Sequence, residues 1–200
     1  VTGVKATLIY TVFEKKGAIT RSVKVENPSD KPFYIDTIHS LCIDLPGYDF
    51  DMLGLYGRWA KERALDRYPL HRGIQSIKSK RGSSSHNHNP FTALVSKNAT
   101  EDYGDCYGFN LVYSSNFSID VEVDGFASSR LVMGINPEGF NWLLNPGEEF
   151  YSPEAVMIYT NNGIGEMSRM FHRLYSNNLV RGKWKKAKRP LLINNWEGTG

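Results

Sequence analysis

The chain has 200 residues, of which 40% are hydrophobic, 12% aromatic and 22% charged, with a formal net charge of +3. That apolar content supplies a real core and excludes wholesale disorder, and no apolar run approaches the ~18–20 residues of a membrane helix. The positive balance is local: Arg181-Gly-Lys-Trp-Lys-Lys-Ala-Lys-Arg189 holds six of the 24 basic residues and no acid. The remaining body is mildly acidic, unlike the spread of positive charge that a nucleic-acid surface needs.

Val4–Phe13 and Ala18–Val25 are β-rich runs joined by Glu14-Lys15-Lys16-Gly17, a hairpin connection with glycine where positive φ is needed. Asn27-Pro28-Ser29-Asp30-Lys31-Pro32 is a turn, after which Phe33–Leu45 alternates as one long half-buried strand. Beyond the turn at Pro46-Gly47-Tyr48-Asp49, strands are expected at Asp51–Tyr56, Arg58–Arg67, Gly73–Lys80, Phe91–Ser96 and Tyr107–Tyr113. Further ones follow at Phe117–Val123, Arg130–Ile135, Phe140–Leu144 and Ala155–Tyr159. Leu111-Val-Tyr113 and Ile119–Val123, separated by Ser114-Ser-Asn116, read as a second hairpin.

The rhythm changes after Asn161-Asn162-Gly163. Met167, Met170, Phe171, Leu174 and Tyr175 recur at helical spacing, with Arg169, His172 and Arg173 on the other side, which predicts an amphipathic helix of three to four turns. Asn177-Asn178 weakens its end. The basic segment then leads into Pro190-Leu-Leu-Ile-Asn-Asn-Trp196, a proline-started apolar strand with no partner nearby. The fold class is therefore mainly β. An antiparallel β-sandwich over residues 1–160 is followed by a connector helix and basic linker over 161–189, and residues 190–200 open another domain.

The start lacks both an initiator Met and the layout of a secretory signal, as in a processed chain or an excised piece. Cys42 and Cys106 lie inside strand-like segments and read as buried free thiols of a reducing compartment. A cytoplasmic setting is expected, where the sequons Asn98-Ala-Thr100 and Asn116-Phe-Ser118 carry no meaning.

Three constellations bear on chemistry. His86-Asn-His88 places two imidazoles at i and i+2, the beginning of a metal site, but its surroundings are rich in side chains that bond local backbone. An ordered polar loop is preferred to a ligand-facing loop or a metal site. Asp51 precedes Trp59, Glu62 and Arg63, and an aromatic face with charged groups around it is how proteins hold sugars. From pattern alone, an exposed strand with alternating charges and a core tryptophan is preferred. Trp184 among lysines invites a nucleic-acid or membrane reading, yet a solvated interdomain linker fits its glycine and following proline better.

Taken together, several segments resemble the bacterial-type α-galactosidases of glycoside hydrolase family 36. They are Gly57-Arg-Trp-Ala-Lys-Glu-Arg63, Gly73-Ile-Gln-Ser-Ile77, Arg81-Gly-Ser-Ser-Ser-His-Asn-His-Asn-Pro-Phe91 and Tyr107-Gly-Phe-Asn-Leu-Val-Tyr-Ser-Ser-Asn-Phe117. Met133-Gly-Ile-Asn-Pro137, Leu144-Asn-Pro-Gly-Glu148, Phe171-His-Arg-Leu-Tyr175 and Pro190-Leu-Leu-Ile-Asn-Asn-Trp-Glu197 continue the likeness, in order and over nearly the whole chain.

The resemblance implies the later part of an N-terminal β-supersandwich, a connector helix, and the first strand of a (β/α)8 barrel. The family's upstream Tyr-Gly-x-x-Asp-Phe-Arg-like motif does not occur here. After Trp196-Glu197 the chain reads Gly198-Thr199-Gly200, where the family continues into Tyr-Phe-Asp-Phe. The aspartate nucleophile and acid/base belong to the barrel, so this chain is expected to be a non-catalytic part of an enzyme that needs no cofactor and no metal. That enzyme would cleave terminal α-galactosides of the melibiose and raffinose type with retention. Trp196, Trp59, Arg63 and Asp51 are the substrate-binding candidates implied, Trp59 also in a neighbouring subunit. The partners implied are α-galactosides, the chain's own barrel, and further copies in a homotetramer, with no nucleic acid or membrane. The competing reading is a free-standing carbohydrate-binding or assembly module.

Overall fold

The computed structural model describes residues 3–195. It opens with β1 (Lys5–Phe13) and β2 (Ala18–Glu26), nine residues each and paired in full register from Lys5↔Glu26 to Phe13↔Ala18. A 3-10 turn at Glu14–Lys16 closes this hairpin on Gly17, which sits at φ 61. A Cβ on Gly17 would lie 2.6 Å from the Met170 methyl, so the turn needs glycine twice over.

The long strand expected over Phe33–Leu45 is two strands, β3 (Phe33–Ile35) and β4 (His39–Leu45), in different sheets. Ile35 and Ile38 are both buried in the same small cluster with Val23, Ile135 and Leu144. Three residues apart, they reach one cluster only if the chain turns between them, because a straight strand repeats every two.

β5 (Phe50–Arg58) and β6 (Lys61–Pro69) form one long hairpin. β7 (Gly73–Lys78), β8 (His88–Ser96), β9 (Cys106–Val112), β10 (Phe117–Val123) and β11 (Ser129–Ile135) follow. The expected hairpin of Leu111–Tyr113 with Ile119–Val123 does not form. β9 lies between β8 and the later strand β14 (Glu154–Thr160), whereas β10 lies between β7 and β11 in the facing sheet. The link at Ser114–Asn116 is an arch between sheets, fixed by Gly82, whose N–H reaches Asn116 Oδ1 at 2.7 Å. Short strands β12 (Trp142–Leu144) and β13 (Glu149–Tyr151) precede β14 (Glu154–Thr160).

The larger sheet has eight strands in the order β1-β2-β14-β9-β8-β5-β6, with β13 also on β2; the smaller has the order β4-β11-β10-β7. Between them lies the main core, with Met52, Leu94, Phe109, Leu111, Phe117, Ile119, Val121, Leu131 and Met133 almost fully buried. Each of these strands sends alternate residues inward, as period-2 patterning requires.

The other face of the large sheet is covered by α1 (Gly163–Leu174), which buries Met167, Met170, Phe171 and Leu174 against Ala93, Val95, Cys106, Val156 and Ile158. The close approach depends on Gly108, because a Cβ there would stand 2.6 Å from the Phe171 ring and 2.8 Å from Met167 Sδ. Three N–H groups of the first turn find acceptors in a neighbouring loop: Gly163 on Gly104 O, Ile164 on Thr100 O and Gly165 on Glu101 O. Truncating Phe171 would remove about 3–5 kcal/mol of packing.

After a π-helical turn at Tyr175–Leu179, the basic segment has a 3-10 turn at Lys183–Lys185, with Lys183 and Arg189 against the Trp184 ring. Among the described residues, Pro190–Asn195 adopts no regular structure, so the strand expected to begin there is not seen. Leu191, Leu192 and Ile193 are 100%, 90% and 89% exposed. Cys106 is buried as expected, but Cys42 is exposed, on the outer face of β4. Among the described residues no helix is long and apolar enough to cross a membrane.

Candidate functional site

β5 and β6 leave the sheet together. β5 pairs with β8 only as far as Tyr56↔His88, and β6 is the sheet's outer edge, so residues 57–63 stand clear as an arm. The turn of this arm is strained by design of its sequence. Ala60 has φ 60 and Arg63 φ 58, both in the left-handed region that non-glycine residues rarely enter. Glu62 supports the turn by accepting the Ala60 N–H at 3.0 Å. The bulge at Arg63 falls where the strand register shifts, between Tyr56↔Ala64 and Arg58↔Lys61.

Trp59 stands at the tip and is 79% exposed. This overturns the preferred pattern reading of a core tryptophan: the turn at Ala60 aims the indole outward, where it packs on no core cluster. Arg63 lines a groove of about 620 Å³ between the arm and α1, whose other walls include Leu55, Leu65, Asn89, Phe171 and His172.

The arm is braced by the His86/His88 loop, a juxtaposition invisible in the separate motifs. Gly57 passes so near this loop that a Cβ would stand 2.8 Å from His86 O and from Glu62 Cα. The Tyr56 and His88 rings meet edge to face at 5.2 Å, and Asn89 Nδ2 donates to Leu55 O at 3.3 Å. Burial, with Arg81 nearby, pushes the His88 imidazole below its usual pKa. His86 is exposed while His88 is tucked in, so the two rings do not converge. Among the described residues no three His, Cys, Asp or Glu side chains gather as metal donors.

Asp51 belongs to the arm's base. Seven residue steps separate it from Arg58, ~23 Å along the strand. Its carboxylate accepts Arg67 Nε at 2.6 Å, and that guanidinium also donates to the carbonyls of Ala99, Lys97 and Ser96 at 2.7, 2.8 and 3.1 Å. Of the four candidates, then, Trp59 stands at the tip of the arm, Arg63 faces the groove beside α1, and Asp51 sits at the arm's base. Trp196 lies outside the described residues.

Residues 1–145 match the family model described as Glycosyl hydrolase family 36 N-terminal domain, and residues 149–200 match the one described as Melibiase. The chain belongs to glycoside hydrolase family 36. It is 48% identical over 197 residues to the alpha-galactosidase AgaA of Geobacillus stearothermophilus, covering 98% of this chain and 27% of that protein. It is 41% identical over 192 residues to alpha-galactosidase Mel36A of Lactobacillus acidophilus, covering 96% of this chain and 26% of that one.

A crystal structure of an AgaA variant in complex with stachyose superposes with a TM-score of 0.94 at 47% identity, over 98% of this chain and 27% of that one. The alpha-galactosidase of Lactobacillus brevis gives 0.95 at 41% identity, over 98% and 26%. The chain thus spans about a quarter of the length of its relatives.

Two of the family 36 motifs here serve the fold. Asn136 Nδ2 donates to Ser79 O at 3.0 Å from a fully buried position, and Glu148 Oε2 accepts the Asn145 N–H at 2.9 Å to close a turn. The two family models meet between residues 145 and 149, but β14 lies in the middle of the large sheet and α1 packs on that sheet. The large sheet is therefore completed only at Thr160, with α1 packed on its outer face.

Proposed function

We propose that this chain is the sandwich region of a retaining α-galactosidase that acts on terminal α-galactosides of the melibiose and raffinose type. In this reading, two aspartates of a barrel following Asn195 perform a double displacement through a galactosyl-aspartate intermediate, without a cofactor. The sandwich supplies binding and assembly. Exposed apolar Leu191–Ile193 suit the entry into that barrel, and Trp196 beyond them is the candidate to border the galactose. The unpaired thiols Cys42 and Cys106 fit a cytoplasmic setting.

The observation that carries a direct role in recognition is the rigid arm that ends in Trp59. A single indole on a braced, strained tip gives the apolar face of a pyranose a platform. Because the tip points away from its own sheet, it serves a site outside this domain, in a neighbouring subunit of a homotetramer. The test is hydrolysis of melibiose and raffinose by the full-length polypeptide, with the first-formed anomer followed by NMR and the assembly measured by sedimentation. Release of α-galactose from a tetramer supports the reading. No hydrolysis, or release of the β-anomer first, refutes it.

A further inference from the structure

Three of the family motifs send a polar side chain to the wall of the groove beside α1: Asn89 in the histidine loop, Asn110 in β9 and Tyr175 at the end of α1. Hydrogen bonds join them in a line. The Tyr175 hydroxyl donates to Asn110 Oδ1, and Asn110 Nδ2 donates to Pro90 O at 2.8 Å. Asn89, one residue away, donates through Nδ2 to Leu55 O at 3.3 Å.

Both ends of this line lie where the regular structure gives out. At the arm, β8 spends four residue steps from Thr92 to His88 while β5 spends two from Gly54 to Tyr56. Leu55 therefore faces a bulge that contains Pro90, which has no N–H to give, and the Asn89 side chain supplies the donor instead. At the other end α1 gives way to the π-helical turn at Tyr175–Leu179, closed by the Val180 N–H on Tyr175 O at 2.9 Å. Such turns are frequent at functional sites. Asn110, between the two, is out of character with its row. Its neighbours across the sheet are Phe91 and Val156, and asparagine is a poor strand former, so packing alone does not call for an amide there.

We infer that Asn89, Asn110 and Tyr175 are positioning residues that tie the base of the β5–β6 arm to the start of the connector, so that the angle of Trp59 is set relative to the polypeptide that follows Leu179. The tie acts through Trp59, and to that extent the inference rests on the reading above. An arm freed at its base presents the same indole over a wider range of angles. That weakens binding of the oligosaccharide without touching the chemical step.

The test uses the full-length polypeptide with Tyr175→Phe and Asn89→Ala, each alone and each combined with Trp59→Ala. Hydrogen exchange of residues 54–58 and 86–91 reads the arm's base directly and needs no activity, while raffinose hydrolysis reads the consequence. The expected result is exchange about threefold faster at the arm's base in both single variants, with β10 and β11 unchanged. KM for raffinose should rise about threefold at unaltered kcat, the size of one neutral hydrogen bond. In the Trp59→Ala background the same substitutions should leave KM where it is. Unchanged exchange at the arm's base overturns the inference. So does the same loss with and without Trp59, which is what a merely structural role predicts. Faster exchange, beside a Trp59→Ala enzyme whose kinetics match the unaltered protein's, supports the tie and refutes instead the arm's part in recognition.

Discussion

Asp51 Oδ2 accepts Arg67 Nε at 2.6 Å across the base of the β5–β6 hairpin, and the same guanidinium holds three carbonyls of the loop at 96–99. One side chain thereby ties the arm to the loop that also receives the first turn of α1. Arg67→Ala is expected to cost about 1–3 kcal/mol, since it strips donors from three carbonyls, and Asp51→Ala less. Arg67→Lys cannot span the same acceptors and should recover only part of the loss. A double-mutant cycle by urea unfolding measures the coupling.

Gly108→Ala is expected to destabilise the chain by about 1–3 kcal/mol, as the added methyl meets Phe171 and Met167 at less than van der Waals distance. Phe171→Leu costs packing of its own but makes room for the methyl, so Gly108→Ala should cost less in a Phe171→Leu background than in the unaltered chain. Equal costs in the two backgrounds would show that the Phe171 contact is not the cause.

Trp59→Ala should leave the melting temperature unchanged, because the indole is largely in solvent and packs on no core cluster. In the full-length enzyme it should lower kcat/KM for raffinose about tenfold or more, equal to about 1.4 kcal/mol of lost transition-state binding. Trp59→Phe, which keeps a ring at the tip, should restore part of that. Unaltered kinetics would remove the arm from recognition.

His39 and His88 are both held below the usual imidazole range, chiefly by burial. His39 also feels Lys78 in the same direction and Asp120 in the opposite one. The folded state therefore binds fewer protons than the unfolded state once the pH falls through about 6.5. Their contribution is complete above that value and is lost progressively on acidification. His39→Gln should flatten the decline in unfolding free energy between pH 7 and pH 5. The carboxylates lowered by cationic partners, Glu26, Asp44, Glu149 and Glu166, act only at more acid pH.

The two thiols should differ. Burial pushes the Cys106 thiol up to about 11, whereas Cys42 faces solvent. A thiol reagent at pH 8 should modify one cysteine in the native protein and the second only in denaturant, with mass spectrometry locating the first label on Cys42.

What the sequence made legible was local. The β1–β2 hairpin follows from its glycine, and α1 follows from Met167, Met170, Phe171 and Leu174 at helical spacing. What escaped it was pairing. Nothing in Ser114-Ser-Asn116 tells whether two strands fold back or cross to another sheet, since the arch is held by contacts such as that of Gly82 with Asn116, thirty-four residues apart. Phe33–Leu45 alternates well enough as one strand, and only a shared cluster for Ile35 and Ile38 reveals the bend. At the candidate site, the motif containing Trp59 was visible, but its exposure comes from the left-handed Ala60 and from a histidine loop whose proximity no spacing encodes.

β14, the last of the described strands, lies between β2 and β9, which are separated by about eighty residues and touch no common described strand before it. On the ribosome, the β1–β2 hairpin must therefore wait, with the free edge of β2 unsatisfied, until Thr160 has emerged. Sheet closure is a late, long-range event, slow by the rule that distant pairings delay folding. A polypeptide cut near residue 148, where the two family models divide it, would hold both halves of the large sheet without the strand that joins them.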